Sequence, residues 1–248
     1  TAMDYFATAR DDRGLGLAYL ALRDDEAAIA AFARANDWSG LGLVHLARQH
    51  YGEAKHCFEQ VQDRSGLGLC ALKERKLEEA TTHFTKANDQ SGLGLCALAR
   101  RDYRKALDHF TQVNDRSGLG QAYLALGRFA EAEQAFREAN DFDGLGDLYM
   151  QLRQFSRARE AFTKSHNPVK VIQAFRMDYT LPARLQQAAA YGEHALTDGR
   201  MRPECLIELA DVYYELGRSA EALATLDQAA AIPGYASQAH LHKGRIYF

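Results

Sequence analysis

The sequence predicts an all-α protein, a solenoid of antiparallel helix pairs, from three observations. The tripeptide Gly-Leu-Gly recurs six times at a spacing of 26 residues, with no insertion between the copies. An alanine and a phenylalanine, four residues apart, follow every copy in the same register. Only 4 prolines occur in 248 residues, and the period-two alternation that a half-buried strand requires is missing. A fixed period of this length indicates repeated helical units that stack on one another.

Each 26-residue repeat reads as two short helices. The first helix begins around Gly-Leu-Gly and ends before a charged break such as Arg101-Asp102. The second helix carries the alanine and the phenylalanine on one face, since residues four apart lie about one helical turn apart. The tripeptides begin at Gly14, Gly40, Gly66, Gly92, Gly118 and Gly144, and the phenylalanines are Phe32, Phe58, Phe84, Phe110, Phe136 and Phe162.

The joint between successive repeats has the pattern Asn-Asp-x-Ser, as in Asn88-Asp89 followed by Gln90-Ser91. Asparagine tolerates the left-handed conformation that ends a helix, and aspartate or serine can cap the next helix. One helix pair cannot bury its own apolar face, so neighbouring pairs must stack. We expect glycine and alanine to let the helices approach closely, with the phenylalanines in the core.

These motifs resemble the tetratricopeptide repeat family. The family pattern Leu-Gly-x2-Tyr, followed by Ala-x3-Phe, stands here as Leu119-Gly120, Tyr123, Ala132 and Phe136. Similar matches recur in other repeats and extend over nearly the whole chain. The resemblance implies a right-handed superhelical solenoid whose function is to bind other proteins.

Two features depart from the family pattern. The period is 26 residues instead of the usual 34, so both helices of a repeat are expected to be shorter. The aromatic position at the start of the pattern is filled by Trp38 and Phe142, whereas the other four repeats have Asp, Gln or Arg there.

We expect two regions with different periods. Residues 1–165 hold a partial repeat and then the six 26-residue repeats. Residues 166–248 hold a degenerate repeat and a repeat of the usual length, since Gly244 follows Ala210 by 34 residues in the same pattern.

Both ends of the sequence fall inside a repeat. Phe6 and Ala9 continue the register of the second helices backwards, and the final first helix stops at Phe248. We therefore expect a fragment of a longer repeat protein, with apolar cut ends that can contact one another.

Composition excludes several classes of protein. A net charge of −3 lacks the excess of Lys and Arg that a nucleic-acid binder or a binder of anionic membranes needs. A mean hydropathy of −0.39, with no long apolar run, predicts no membrane insertion. The first residues do not resemble a signal peptide, which favours the cytoplasm. The periplasm is the alternative if a signal peptide was removed.

The sequence predicts neither a catalytic site nor a metal site. Cys57, His83 and His109 occupy one position in successive second helices. Such positions in stacked helices lie about 8–10 Å apart, whereas zinc ligands lie about 2.0–2.3 Å from the ion. The three side chains cannot converge on one metal. Gly-Leu-Gly also lacks the spacing of phosphate-binding loops, so we expect no enzyme and no cofactor.

The candidate binding site is the groove that the first helices line in the resembling family. The positions that follow Gly-Leu-Gly, and those one turn later, should form its wall, apolar in the first four repeats and polar in the last two. The candidate residues are Leu17, Leu43, Leu69, Leu95, Lys73, Gln121, Asp147 and Gln151. The alternative is that the shortened helices coil tightly and bury these leucines between repeats.

The predicted function is therefore a scaffold that binds a partner protein or peptide. Two alternatives stay open: a regulatory or sensor segment of a larger signalling ATPase or enzyme, and a scaffold in a secretion or polysaccharide-export assembly.

Overall fold

The computed structural model describes residues 2–22, 24–197, 203–232 and 234–247, and every regular element in them is an α-helix. The helices are α1 (Ala2–Ala9), α2 (Asp12–Leu22), α3 (Asp25–Arg34), α4 (Trp38–Ala47), α5 (Tyr51–Gln60), α6 (Arg64–Lys73), α7 (Leu77–Ala87), α8 (Gln90–Ala99), α9 (Tyr103–Gln112), α10 (Arg116–Ala125), α11 (Phe129–Ala139), α12 (Phe142–Gln151), α13 (Phe155–Lys164), α14 (Pro168–Met177), α15 (Arg184–Thr197), α16 (Pro203–Glu215), α17 (Ser219–Ala230) and α18 (Ala236–Tyr247). None of these helices is long and apolar enough to cross a membrane.

The chain divides into two compact units, Thr1–Ala135 and Phe136–Phe248, and successive helices pack against each other along each unit. This confirms the predicted all-α solenoid of helix pairs. Helices α2 to α13 carry the six copies of the 26-residue pattern. The compact units divide inside this series, at residue 135, and the boundary predicted at residue 165 stays a prediction.

An aspartate begins each first helix of the repeats. One carboxylate oxygen, Oδ1, accepts a hydrogen bond from the backbone N–H of the first glycine in Gly-Leu-Gly, three residues later. The six pairs are Asp11–Gly14, Asp37–Gly40, Asp63–Gly66, Asp89–Gly92, Asp115–Gly118 and Asp141–Gly144, at 2.8–3.0 Å. This is the N-cap that the Asn-Asp-x-Ser joint predicted, with aspartate as the capping residue.

Residues in the left-handed backbone conformation follow the helices, both between repeats and between the two helices of one repeat. Before the capping aspartate, the residue with positive φ is usually asparagine, for example Asn88 at 54°. Between the two helices of a repeat, Arg75 and Arg101 adopt φ 62°, and Gly127 adopts φ 73° in the fifth repeat. Arginine has a Cβ that this conformation crowds, whereas glycine adopts it freely.

The core of the repeats is a series of buried phenylalanine rings, and in the first four repeats each ring lies between two glycines. Phe84 is fully buried and lies between Gly68 of its own first helix and Gly92 of the next one. A Cβ added to either glycine would lie less than 3.0 Å from a ring carbon. The same arrangement holds Phe32, Phe58 and Phe110. Gly-Leu-Gly is therefore a packing element whose two glycines contact rings from two different repeats.

The partial repeat before α2 follows the same register. Phe6 in α1 packs on Gly14, where an added Cβ would lie 2.5 Å from its ring. Phe248, at which the sequence predicted the last first helix to stop, lies outside the described residues.

The helices after residue 165 pack differently. Helices α15 to α18 have 12–14 residues, compared with ten or eleven in the repeats. Their core is a cluster of aliphatic side chains that includes Ile172, Leu206, Leu209 and Leu226. An ion network also joins α14 to α16, because Arg176 bonds to carboxylates of α16.

Candidate partner-binding stripe and two lateral cavities

The leucine stripe, defined as Leu17, Leu43, Leu69 and Leu95, lies on the first helices of the N-terminal unit. Leu17 is 51% exposed, and the other three are half-buried. Each of those three packs one side against the cluster around its repeat's phenylalanine. The leucines thus touch the core and the solvent at the same time. Lys73 and Gln121, predicted beside them, are exposed.

Hydrogen bonds fix the spacing of the helices that carry the stripe. The second oxygen of a capping aspartate, Oδ2, binds a side chain from the preceding first helix. Ser91 Oγ donates to Asp115 at 2.8 Å, and Ser39 Oγ donates to Asp63 at 3.4 Å. Each serine precedes a stripe leucine by one helical turn. One aspartate therefore caps its own helix and ties it to the previous one, which holds the leucines in line.

The two candidate residues of the second unit, Asp147 and Gln151, are both exposed on α12. Lys170 Nζ lies 2.7 Å from Oδ1 of Asp147, so this carboxylate already has a cationic partner. The polar end of the predicted groove is therefore partly neutralised within its own unit.

Two cavities occupy equivalent places in the second and the sixth repeat. The first has a volume of about 600 Å³ and is lined by Trp38, Leu41, His45, Gly52, Glu53, His56 and Cys57. The second has a volume of about 390 Å³ and is lined by Arg137, Asn140, Phe142, Leu145, Tyr149, Arg157, Glu160, Ala161 and Lys164. Six of the seven lining positions of the first cavity recur in the second cavity at the same repeat register, and Gly52 is the exception.

The cavities open on the face of the first helices that points away from the stripe. Successive helical residues turn by about 100°, so Leu41 of the first cavity and Leu43 of the stripe lie about 160° apart on α4. The same geometry separates Tyr149 from Asp147 and Gln151 on α12. Helices α4 and α12 thus each present one face to the predicted groove and the opposite face to a cavity.

The first cavity is aromatic and carries histidines. Trp38 meets His56 edge to face, with ring centroids 6.2 Å apart, and His45 stacks with His50 at 6.2 Å. Nδ1 of His45 is buried and has no hydrogen-bond partner among the described residues. Burial lowers the pKa of His45, and Glu53 offsets that effect only in part. His45 is therefore neutral at pH 7.

Cys57, Cys70 and Cys96 are buried and form no disulfide. Burial raises the pKa of Cys70 to about 11, so the thiol stays protonated and unreactive at neutral pH. Within the described part of the chain, no three side chains of His, Cys, Asp or Glu are grouped closely enough to hold a metal ion. Cys57, which the sequence placed in a ladder with His83, packs into the core.

Sequence reasoning did not find the cavities, although one signal for them was present. Trp38 in the second repeat and Phe142 in the sixth repeat occupy the aromatic position of the family pattern. Each of them lines a cavity. The ring stands at the start of its first helix, at the rim of the space between that helix and the second helix of the repeat. An aromatic residue at that position is therefore a sequence feature that these two cavities share.

Comparison with known proteins supports the family resemblance. Two family models, both described as tetratricopeptide repeat, match residues 84–143 and residues 203–228. No curated protein matches the chain. Tetratricopeptide repeats are generally protein–protein interaction modules. Together with the consecutive helix pairs, these matches show that the chain is a tetratricopeptide-like helical-repeat protein.

Proposed function

We propose that this protein is an interaction scaffold and that a segment of a partner protein binds along the leucine stripe. The supporting observation is the half-burial of one leucine per repeat, at the same place in four successive first helices. Covering these side chains removes apolar surface from water, which is favourable by about 25 cal/mol of transfer free energy per Å² buried. The proposal includes neither a catalytic step nor a cofactor.

The spacing of the stripe favours an extended partner segment. Neighbouring packed helices lie about 8–10 Å apart, and an extended chain advances about 3.3 Å per residue. An apolar side chain at every third residue of the partner would therefore meet one leucine after another. Alanines one turn beyond Leu17, Leu43 and Leu95 leave room for the partner's backbone.

Lys73 and Gln121 complete the proposed site in the N-terminal unit. Lys73 takes the place of the small alanine in the third repeat, where its ammonium group can bind a carboxylate or a carbonyl oxygen of the partner. Gln121 continues the stripe as a hydrogen-bonding residue in the fifth repeat. Asp147 and Gln151 hold the same positions in the second unit, and we propose that they contribute polar contacts there.

Fluorescence anisotropy with designed peptides tests this proposal. A labelled twelve-residue peptide with leucine at every third position should bind, and a peptide of the same composition in scrambled order should not. Leu17→Asp and the pair Leu69→Asp with Leu95→Asp should abolish binding while the helical circular dichroism stays unchanged. Val113→Asp is the matched control, because Val113 is 47% exposed but lies outside the stripe.

Two results would contradict the proposal. Binding that survives Leu17→Asp and the paired change would place the partner elsewhere. Loss of helicity in the Leu69→Asp and Leu95→Asp pair would show that these leucines are core residues, as in the alternative interpretation of the sequence. Leu17 is half exposed, so its variant should fold in either case.

We also propose that the protein acts in the cytoplasm. Cys57, Cys70 and Cys96 are buried thiols that form no disulfide. Reduced cysteines are typical of cytosolic proteins, since disulfides form mainly in oxidising compartments.

A further inference from the structure

We propose that the cavity of the sixth repeat, here called the Arg–Tyr cavity, binds an oxyanion, either a carboxylate or a phosphate monoester. Nothing in the family resemblance or in the proposed function assigns a ligand to this place. The cavity lies on the opposite face of α12 from Asp147 and Gln151, so its ligand is distinct from the segment proposed for the leucine stripe.

Two guanidinium groups converge on one oxygen in this cavity. Arg157 Nη2 donates to the hydroxyl oxygen of Tyr149 at 2.7 Å, and Arg137 Nη2 lies 3.5 Å from the same oxygen. The guanidinium carbon of Arg157 also lies 4.0 Å from the centre of the Tyr149 ring. A guanidinium group has five N–H donors, so each arginine can bind an anion while it keeps its present partners.

The charge of the lining favours an anion. Arg137, Arg157 and Lys164 contribute three cations, and Glu160 contributes one carboxylate, which Lys164 Nζ binds at 2.7 Å. Arginine binds carboxylates and phosphates through two parallel hydrogen bonds, so two neighbouring guanidinium groups are suited to an oxyanion.

The rest of the lining fits the carbon part of an organic anion. Phe142, Leu145 and Ala161 form an apolar wall beside the arginines. An aryl or alkyl group attached to the oxyanion can pack against this wall while the anion faces the guanidinium groups. The volume of about 390 Å³ is suited to a small group of this kind.

The arginines are particular to this cavity and do not follow from the repeat. In the cavity of the second repeat, Glu53 lines the position of Arg157, and Ala33 holds the register position of Arg137 in the sequence. That cavity therefore contains a carboxylate where this one has a guanidinium group. The two cavities share a place in the fold and should bind ligands of different charge.

Nuclear magnetic resonance of the whole chain with ¹⁵N-labelled arginine tests the proposal, with phenyl phosphate and benzoate as probes. At low ionic strength, at least one probe should shift the Nε–H signals of Arg137 and Arg157 to saturation. Arg137→Gln and Arg157→Gln should each raise the Kd by about tenfold or more, which corresponds to about 1.4 kcal/mol. Arg104→Gln, a change of an exposed arginine in α9, should leave the Kd unchanged.

The pH dependence distinguishes the two sources of the oxyanion. A phosphate monoester gains its second charge with a pKa of about 6. Binding of phenyl phosphate should therefore strengthen between about pH 5 and pH 7, whereas binding of benzoate, which is already ionised, should stay constant. A site that takes only one of the two probes identifies the class of ligand.

Other outcomes would overturn the proposal. Shifts that do not saturate with either probe, or that are lost equally in Arg104→Gln, would indicate unspecific attraction to surface cations. Arg137 is exposed, so its substitution should not unfold the protein. Arg157→Lys keeps the charge but loses the paired hydrogen bonds, and full affinity in that variant would exclude recognition by the guanidinium group.

Discussion

The six repeats and the helices after residue 165 fill the space between packed helices with different side chains. In the repeats, one buried ring fills the space between two glycines, and both helices of a pair have only ten or eleven residues. In α15 to α18, longer helices pack through branched aliphatic side chains, with a single buried glycine, Gly192. The first arrangement depends on a fixed distance between backbones, whereas the second can rearrange its side chains.

This difference has a physical cost for the repeats. Two glycines in a ten-residue helix weaken it by roughly 1 kcal/mol each relative to alanine. Isolated helices shorter than about 12–15 residues are marginal in water. The short helices therefore depend on the phenylalanine contacts between repeats, which should make the repeat region less tolerant of changes in volume than α15 to α18.

Removing a ring should give the largest effect. Phe84→Ala should lower the free energy of unfolding by about 4–5 kcal/mol, since the glycine backbones on both sides cannot fill the cavity. Leu226→Ala, in the aliphatic cluster, should cost about 2–3 kcal/mol because its neighbours can move into the space. Urea unfolding followed by circular dichroism measures both values, and hydrogen exchange locates the weakened repeats. Equal losses in the two variants would contradict the comparison.

Adding a methyl group should destabilise the repeats much more than the helices after residue 165. Gly92→Ala should destabilise the protein by about 2–3 kcal/mol, because overpacking against Phe84 exceeds the gain in helix propensity. Gly192→Ala should stay within about 1 kcal/mol of the parent, since the added carbon meets mobile methyl groups of Leu209 and Ile172 at 3.0 and 3.3 Å. Urea midpoints provide the measurement.

Two variants control this series. Gly52→Ala places its methyl group in open space on α5 and should stabilise the protein by roughly 0.5 kcal/mol. The pair Gly92→Ala with Phe84→Leu should cost less than the sum of its single changes, because the smaller side chain relieves the overlap. Additive losses would mean that Gly92 and Phe84 do not press on each other.

A buried ion pair joins the last helix of the sixth repeat, α13, to the segment that follows α14. Arg159 Nη1 lies 2.9 Å from Oδ2 of Asp178, which is nearly buried. Burial alone would raise the pKa of Asp178, but hydrogen bonds from Thr180 and Arg159 outweigh it and hold the pKa below its ordinary value. Asp178→Asn should therefore cost about 2 kcal/mol at pH 7.

The pH dependence of that loss has a definite sign. Because the pKa of Asp178 is lower in the folded state, its contribution is complete above the ordinary value of about 3.9 and falls as the pH drops through the folded value. The difference between parent and variant should thus shrink below about pH 4. Glu131→Gln, which removes an exposed ion pair with Arg128, should leave the urea midpoint and its pH dependence unchanged.

A backbone position inside the repeats should give a smaller effect than the buried ion pair. Arg101 adopts φ 62°, so Arg101→Gly should stabilise the protein by roughly 0.5–1 kcal/mol. Gly127 holds the equivalent position in the fifth repeat with open space around it, and Gly127→Ala should destabilise by roughly 1 kcal/mol. Thermal midpoints measure both changes, and a loss of stability in Arg101→Gly would show that its side chain contributes more than the strain.

The sequence by itself determined the repeat period, the helix pairs, the capping aspartates and the buried phenylalanines. These features depend on residues within one repeat, so an identical pattern copied six times predicts them. The aromatic residues Trp38 and Phe142 were visible as exceptions, but the pattern alone did not predict a cavity beside them.

Only the tertiary structure decided which groups meet across the repeats. Phe84 packs against glycines of two successive first helices, α6 and α8. Leu69 packs against the core on one side and is exposed to solvent on the other. The Arg–Tyr cavity brings Arg137 and Arg157, twenty residues apart in the sequence, to one hydroxyl group of Tyr149. Such contacts depend on how closely stacked helices approach, which is set by the packing of the glycines and rings and cannot be read from the period.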